Sequence, residues 1–143
     1  MTEPFVFYLW ATQLFFSGIM TGLVWFVQIN HYPLLLRIPA SHFSGYEKEH
    51  IRRTTWIVAP AMLLELACCL SLAYFMATPW YVFGNTILLV SVWLMTFLIQ
   101  VPLHARLQKR GKNDESIRQL ITSNWFRTVA WTAIFAGLIL NRP

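Results

Sequence analysis

Charge is what this chain lacks. Only 12% of its 143 residues are Asp, Glu, Lys or Arg, and the acids number six. Soluble domains carry roughly a quarter charged residues, so the shortfall points to lipid rather than water as the solvent. Cysteine is scarce as well: Cys68 and Cys69 are neighbours, which excludes a disulfide framework and leaves two small packing residues. The chain has no Gly-rich dinucleotide turn, phosphate-binding loop, Cys-x-x-Cys pair or nucleophile elbow, so the common nucleotide, thiol-redox and hydrolase signatures are excluded. Glu47-x-x-His50 is half of a di-iron carboxylate motif. The remaining acids are too few and too scattered to complete one.

Apolar residues are what the chain has, at 57% of the total. Four runs, at residues 5–29, 56–76, 81–103 and 120–140, each approach the roughly 20 residues needed to cross about 30 Å of hydrocarbon. Lipid leaves backbone polar groups no partner outside the segment, so such runs form helices. The expected fold is all-α: a single integral-membrane domain built as an antiparallel four-helix bundle. No basic residue precedes the first run and no small-residue cleavage site follows it, so that run is expected to be retained as a span. Residues 40–55 are expected at the interface, running into the second span. Ser44 is the expected N-cap there, with Glu47 at capping-box spacing and a kink at Pro60. Asn113 or Asp114 is expected to cap the fourth helix.

The formal charge of +5 is a topology signal rather than a nucleic-acid signal. Arg37, Lys48, Arg52 and Arg53 lie between the first two runs, and Arg106, Lys109, Arg110, Lys112 and Arg118 between the last two. Basic loops stay cytoplasmic, which predicts an inner-membrane protein with both termini on the non-cytoplasmic side. The same basic face suits anionic lipid headgroups. Trp10, Trp80 and Tyr81 then fall at one boundary, and Trp56 and Trp125 at the other, as aromatic belts do.

This topology gathers polar residues at one end. His31 and His104 each follow a run and have a glutamine one helical turn earlier, Gln28 and Gln100. Imidazole ligates Zn, Cu, Fe and haem iron, and an amide can orient it. A metal ion or haem held by His31, His50 and His104 is therefore one expectation, and interfacial packing of histidine at helix C-termini is the other. His42, in a Ser-flanked stretch, is expected to be exposed. In the fourth run Asn124 and Arg127 lie inside the hydrocarbon edge. Arg127 either snorkels back to the headgroups or pairs within the bundle. With Trp131 and Phe135 deeper on the same face, these residues suit a quinone-like ligand or ordinary packing. Glu65 falls mid-span, where an ionised carboxylate costs several kcal/mol. It reads as a proton acceptor or as a neutral group hydrogen-bonded between helices, with Thr21, Ser17, Ser91 and Trp93 at its depth.

Two further patterns stand out. "QINHYPLL" and "QVPLHARL", with "RTTW" and "RTVAW", repeat at offsets of 72 to 74 residues, which predicts two helical hairpins related by a pseudo-two-fold axis. The set "HYPLL", "YEKEHIRRTT", "QVPLHARL" and "NWFRTVAWT" resembles small four-span bacterial membrane proteins of unassigned function over nearly the whole chain. At Asn124 and Arg127 alone the chain is similar to anthrone-oxygenase-like membrane proteins, which would imply oxidation of a polycyclic aromatic substrate.

Two functions fit. One is a membrane oxidoreductase-like protein acting on a lipophilic substrate. It would have Glu65 and His50 as proton-transferring groups, Asn124, Arg127, Gln28 and Gln100 as ligand-binding groups, and the three histidines on a metal. The other is a non-enzymatic subunit, packed against partner membrane subunits or a second copy of itself.

Overall fold

The computed structural model of the chain describes residues 3–76 and 80–142. Four helices run up and down: α1 (Glu3–Leu35), α2 (Ala40–Phe75), α3 (Trp80–Arg110) and α4 (Asp114–Leu140). No strand occurs among the described residues, and the connection expected at 77–79 lies outside them. Helices α1, α2 and α3 are each long and apolar enough to cross a membrane. No more than 33% of the apolar window of any of them is buried, so most of their apolar surface faces outward, as lipid-facing helices do.

Two of the helices are widened at one point. In α1 the turn Val27–His31 is π-helical, with the Tyr32 N–H bonded to the Val27 carbonyl; in α3 the turn Thr96–Gln100 repeats this, with the Val101 N–H bonded to Thr96. In each case a proline, Pro33 or Pro102, stands two residues after the turn. A proline ring crowds the carbonyl four residues back and offers no N–H to it, and an extra residue in the preceding turn relieves both problems. The two features stand 69 residues apart (27 to 96, 33 to 102). This register equates His31 with Gln100. The glutamine and histidine matches at offsets 72 and 73 are therefore not structural equivalents, and the hairpin repeat expected from them is corrected to the proline register.

Helix α2 also starts earlier than its sequence suggests. It begins at Ala40, after Pro39 with φ −58° and ψ 140°, because a proline's fixed φ and missing N–H suit the start of a helix. Ser44 is thus an exposed residue inside α2 and caps nothing, while Glu47 is fully buried. Pro60 lies within the same uninterrupted helix. At α4 the cap is Asn113, whose side-chain oxygen accepts the Ser116 N–H at 2.7 Å. Asn113→Ala is expected to lower stability by about 1 kcal/mol, read as a reduced unfolding midpoint in detergent, and Asp114→Ala by less.

Packing follows from the buried stripes. Helix α1 packs on α2 and α4, while α3 packs on α4 and meets α2. Gly18 lets the Phe135 ring close on α1: a Cβ there would lie 3.1 Å from it. Two apolar cores result. One, around Met20, Leu72, Leu89 and Trp131, fills the half away from the basic loops; the other, around Leu35, Phe43, Leu107 and Leu120, fills the basic end. Between them lies a layer of buried polar side chains: Gln28, Gln100, Asn124 and Arg127.

Candidate functional site

The polar layer borders a cavity of about 570 Å³ between α2 and α3, within the range of small-molecule sites. It runs along α3 from Trp93 to Gln108, about 20 Å at 1.5 Å per residue. That is the shape of an extended ligand. Its walls change character along this length. Tyr32, His50, Gln100, His104, Asn124 and Arg127 line the basic end, whereas Val58, Met62, Trp93 and Phe97 line the remainder. Leu63, Phe97 and Val101 line the cavity and are also exposed on the bundle's surface, so the slot opens sideways between two apolar helices.

At the polar end, side chains distant in sequence form one hydrogen-bonded line. Glu47 Oε1 meets His104 Nδ1 at 2.5 Å, His104 Nε2 meets the Tyr32 hydroxyl at 3.1 Å, and that hydroxyl meets Gln100 Oε1 at 3.2 Å. Gln100 Nε2 donates to Ser123 Oγ at 2.8 Å, which in turn donates to the Gln119 carbonyl. These bonds are consistent with a single assignment of protons. The Gln100 oxygen only accepts, so Tyr32 donates to it and accepts from the His104 Nε2–H. One proton then remains between His104 Nδ1 and Glu47. The line has a fixed direction and a transferable proton at its far end.

A second line holds Arg127. The Gln28 amide donates to the Ile121 carbonyl at 3.1 Å, its oxygen accepts from Asn124 Nδ2 at 3.0 Å, and Asn124 Oδ1 accepts from Arg127 Nη1 at 3.1 Å. Arg127 is 6% exposed, its Nε has no partner, and its guanidinium lies 5.2 Å from the centre of the Trp131 ring. Among the described residues no carboxylate pairs with it. Arg127 has therefore turned inward rather than snorkelling, and it lies in the same electrostatic neighbourhood as the Tyr32 hydroxyl.

The three histidines expected to form one site do come together. The rings of His31 and His50 stack with centroids 4.1 Å apart, and His50 and His104 are 5.9 Å apart. Imidazole lone pairs lie in the ring plane, so stacked rings cannot aim at one ion, and both nitrogens of His104 are engaged. Among the described residues no three His, Cys, Asp or Glu side chains are placed to hold a metal ion. The ligand set expected of His31, His50 and His104 is corrected to an aromatic stack that Tyr46 extends. His50 precedes the apolar segment of α2. Burial, then the neighbouring His31, pulls its imidazole down to about 4, so it is neutral at pH 7; burial lowers His31 too. His42 is exposed and bonded to Ser41.

The glutamines orient other groups than expected. Gln28 holds Asn124 rather than His31, and Gln100 reaches His104 only through Tyr32. Glu65 is fully buried away from this end, accepting the Trp131 indole N–H at 2.9 Å. Sequence reasoning missed Tyr32, the hub of the first line, and did not place Glu47 beside His104. Their partners lie 72 and 57 residues away, beyond the reach of helical spacing. The available signal was Tyr32 itself, a hydroxyl on the turn between His31 and Pro33. No protein-family model matches the chain, and no curated protein or solved structure does so either.

Proposed function

We propose that the protein sits in the cytoplasmic membrane with its basic end inward and binds a lipophilic carbonyl or enol compound of the quinone type. The tail enters from the bilayer between α2 and α3, and the oxygen-bearing head meets Arg127 and the Tyr32 hydroxyl. The observation that carries this reading is a buried guanidinium without a carboxylate, facing a long apolar cavity. A desolvated cation is costly unless something compensates it, and a ligand oxygen bearing negative charge does so. Oriented donors in a dry site stabilise such an oxygen strongly.

The same site moves a proton. As the Tyr32 hydroxyl turns its hydrogen from Gln100 Oε1 to the ligand oxygen and gives it up, Tyr32 takes the proton on His104 Nε2, and the proton shared with Glu47 passes to Nδ1. Charge on the ligand is thus exchanged for charge on Glu47. His50 stays neutral on the cavity wall, bonded to Thr54, and adds no charge to the site. Asn124, Gln28 and Gln100 hold the reacting groups in place.

The test is quenching of tryptophan fluorescence, with Trp93 and Trp131 as reporters, by an alkyl-substituted 2-hydroxy-1,4-naphthoquinone. Saturable quenching is expected. Its O-methyl ether, with neither charge nor acidic proton, should bind about tenfold more weakly or worse, the loss of one charge-assisted hydrogen bond. Val58→Trp, which fills the slot, should abolish both. Equal binding of the two compounds would overturn the reading. So would the absence of saturable quenching, and a protein that also leaves mild detergent only with larger subunits would then be the non-enzymatic component.

A further inference from the structure

The half of the bundle away from the basic loops contains polar side chains that the cavity does not use. Gln13 and Ser17 on α1, Glu65 on α2 and Asn85 on α3 are each at least nine-tenths buried. Each also carries a side-chain atom with no hydrogen-bond partner: Gln13 Nε2, Ser17 Oγ, Glu65 Oε1 and Asn85 Nδ2. Orphaned groups of this kind are rare in native cores and each calls for a partner, for which bound water is the usual source.

They form a file rather than a scatter. Ser17 neighbours the Glu65 carboxyl without completing a hydrogen bond. Gln13, one turn further from the basic end on the same face of α1, neighbours the Cys69 thiol, itself one turn beyond Glu65. Cys69 Sγ lies 3.4 Å from Thr86 Oγ1. Asn85, adjacent to Thr86, backs onto α4 at Gly137, where a Cβ would lie 3.0 Å from its amide oxygen. Only one turn and a half of α3 then separates Asn85 from the exposed Trp80 at the helix start.

In the other direction the file is blocked. The second Glu65 oxygen accepts the Trp131 N–H, and an indole donates but cannot accept, so it passes no proton on. Beyond the same ring stands the Arg127 cation, which repels one. The ionisable groups near Glu65 are Cys68 and Cys69 on its own helix, with Arg127 on α4 beyond the Trp131 ring; α1 faces it with the neutral Ser17, and the neutral Gln13 and Thr86 lie beside Cys69.

We propose that Glu65 is a proton-binding site served by a hydrated file, Asn85 to Gln13 to Ser17, from the membrane face opposite the basic loops. Water bridges the orphaned atoms, and the hydroxyls and amides hold it in line. Trp131 and Arg127 insulate this carboxyl from the Glu47–His104 pair, so the bundle carries two proton sites served from opposite faces. The proposal goes beyond the function argued above and stands whether or not the cavity takes a quinone.

The test uses the full chain in right-side-out and inverted membrane vesicles, with orientation established by tryptic cleavage at the basic loops. A lipophilic carbodiimide reacts with buried carboxyls only in their protonated form, and mass spectrometry of the Glu65 peptide reads the rate. Lowering the pH by two units on the face opposite the basic loops is expected to raise labelling about tenfold or more, following proton activity. The same change on the basic face should alter it less than about twofold. Ser17→Ala and Gln13→Leu should each remove the response while leaving the thermal unfolding midpoint near that of the parent. Asn85→Leu serves if Gln13→Leu fails to fold. Labelling that follows the basic face, or that responds unchanged in the folded variants, overturns the proposal.

Discussion

Glu47→Ala is expected to cost the bundle about 3 kcal/mol or more, the range for removing one member of a buried pair. Its carboxyl is fully buried and meets His104 at 2.5 Å, tying the start of α2 to the end of α3. Alanine leaves His104 Nδ1 without a partner and a gap beside Phe43 in the basic-end core. Glu49, two residues on, is the control. Its bonds to Arg52 and Arg53 are exposed, and exposed pairs contribute little, so Glu49→Ala should leave the midpoint nearly unchanged. Glu47→Gln separates structure from chemistry. The amide refills the space and can donate to Nδ1, which restores most of the stability. The transferable proton is gone, and with it proton exchange on a bound ligand. Reversible unfolding in mixed detergent, with His104→Ala completing a double-mutant cycle, measures the coupling, expected at about 1.5 to 3 kcal/mol. A coupling near zero would mean that the two side chains merely lie side by side.

Arg127→Met should have the opposite signature. The guanidinium is buried with one hydrogen bond to Asn124, one unpartnered nitrogen and the face of Trp131. A desolvated cation over an aromatic ring gains about 2 kcal/mol, while its own desolvation costs several. Methionine of similar length removes that cost and forfeits little else, apart from the Asn124 bond. Stability is therefore expected to stay within about 1 kcal/mol of the parent or to rise. Affinity for the anionic naphthoquinone should fall about 30- to 100-fold, the value of a charge-assisted hydrogen bond in a dry site. A protein that keeps its binding site but loses more than about 3 kcal/mol would show Arg127 to be a structural strut, and the ligand reading would fail. The contrast between the two residues is informative in itself. Glu47 has an ionisable partner in His104, whereas among the described residues Arg127 has no carboxylate beside it and bonds only the neutral Asn124.

Helix ends were not legible, since α1 and α3 run on to Leu35 and Arg110, past apolar runs that end at 29 and 103, but helix number and the clustering of polar groups at one end were legible in the runs of apolar residues and the placement of the basic ones. Those are local quantities, summed over a helix length. Arg127 also announced itself, because a guanidinium that deep in an apolar run needs an explanation. The errors came where two local signals competed. At α2 the Ser44–Glu47 capping box lost to Pro39, whose rigid ring starts the helix earlier and frees Glu47 for the interior. At the repeat, matched letters lost to matched prolines, because the π turns follow the proline constraint and not the glutamines.

Composition and spacing by themselves determined that the chain is helical and apolar enough for a membrane and that imidazoles, amides and a guanidinium share one end, since each of these depends only on a residue and its neighbours along a helix; of the four spans they predicted, three helices are long and apolar enough to cross. Tertiary structure alone decided which of these groups touch. The pairs Tyr32–His104, Glu47–His104, Gln28–Asn124 and Glu65–Trp131 are each joined across 57 to 96 residues. Hydrogen bonds reach about 3 Å, so a rotation of one helix by a single residue would exchange every partner while leaving the apolar pattern intact.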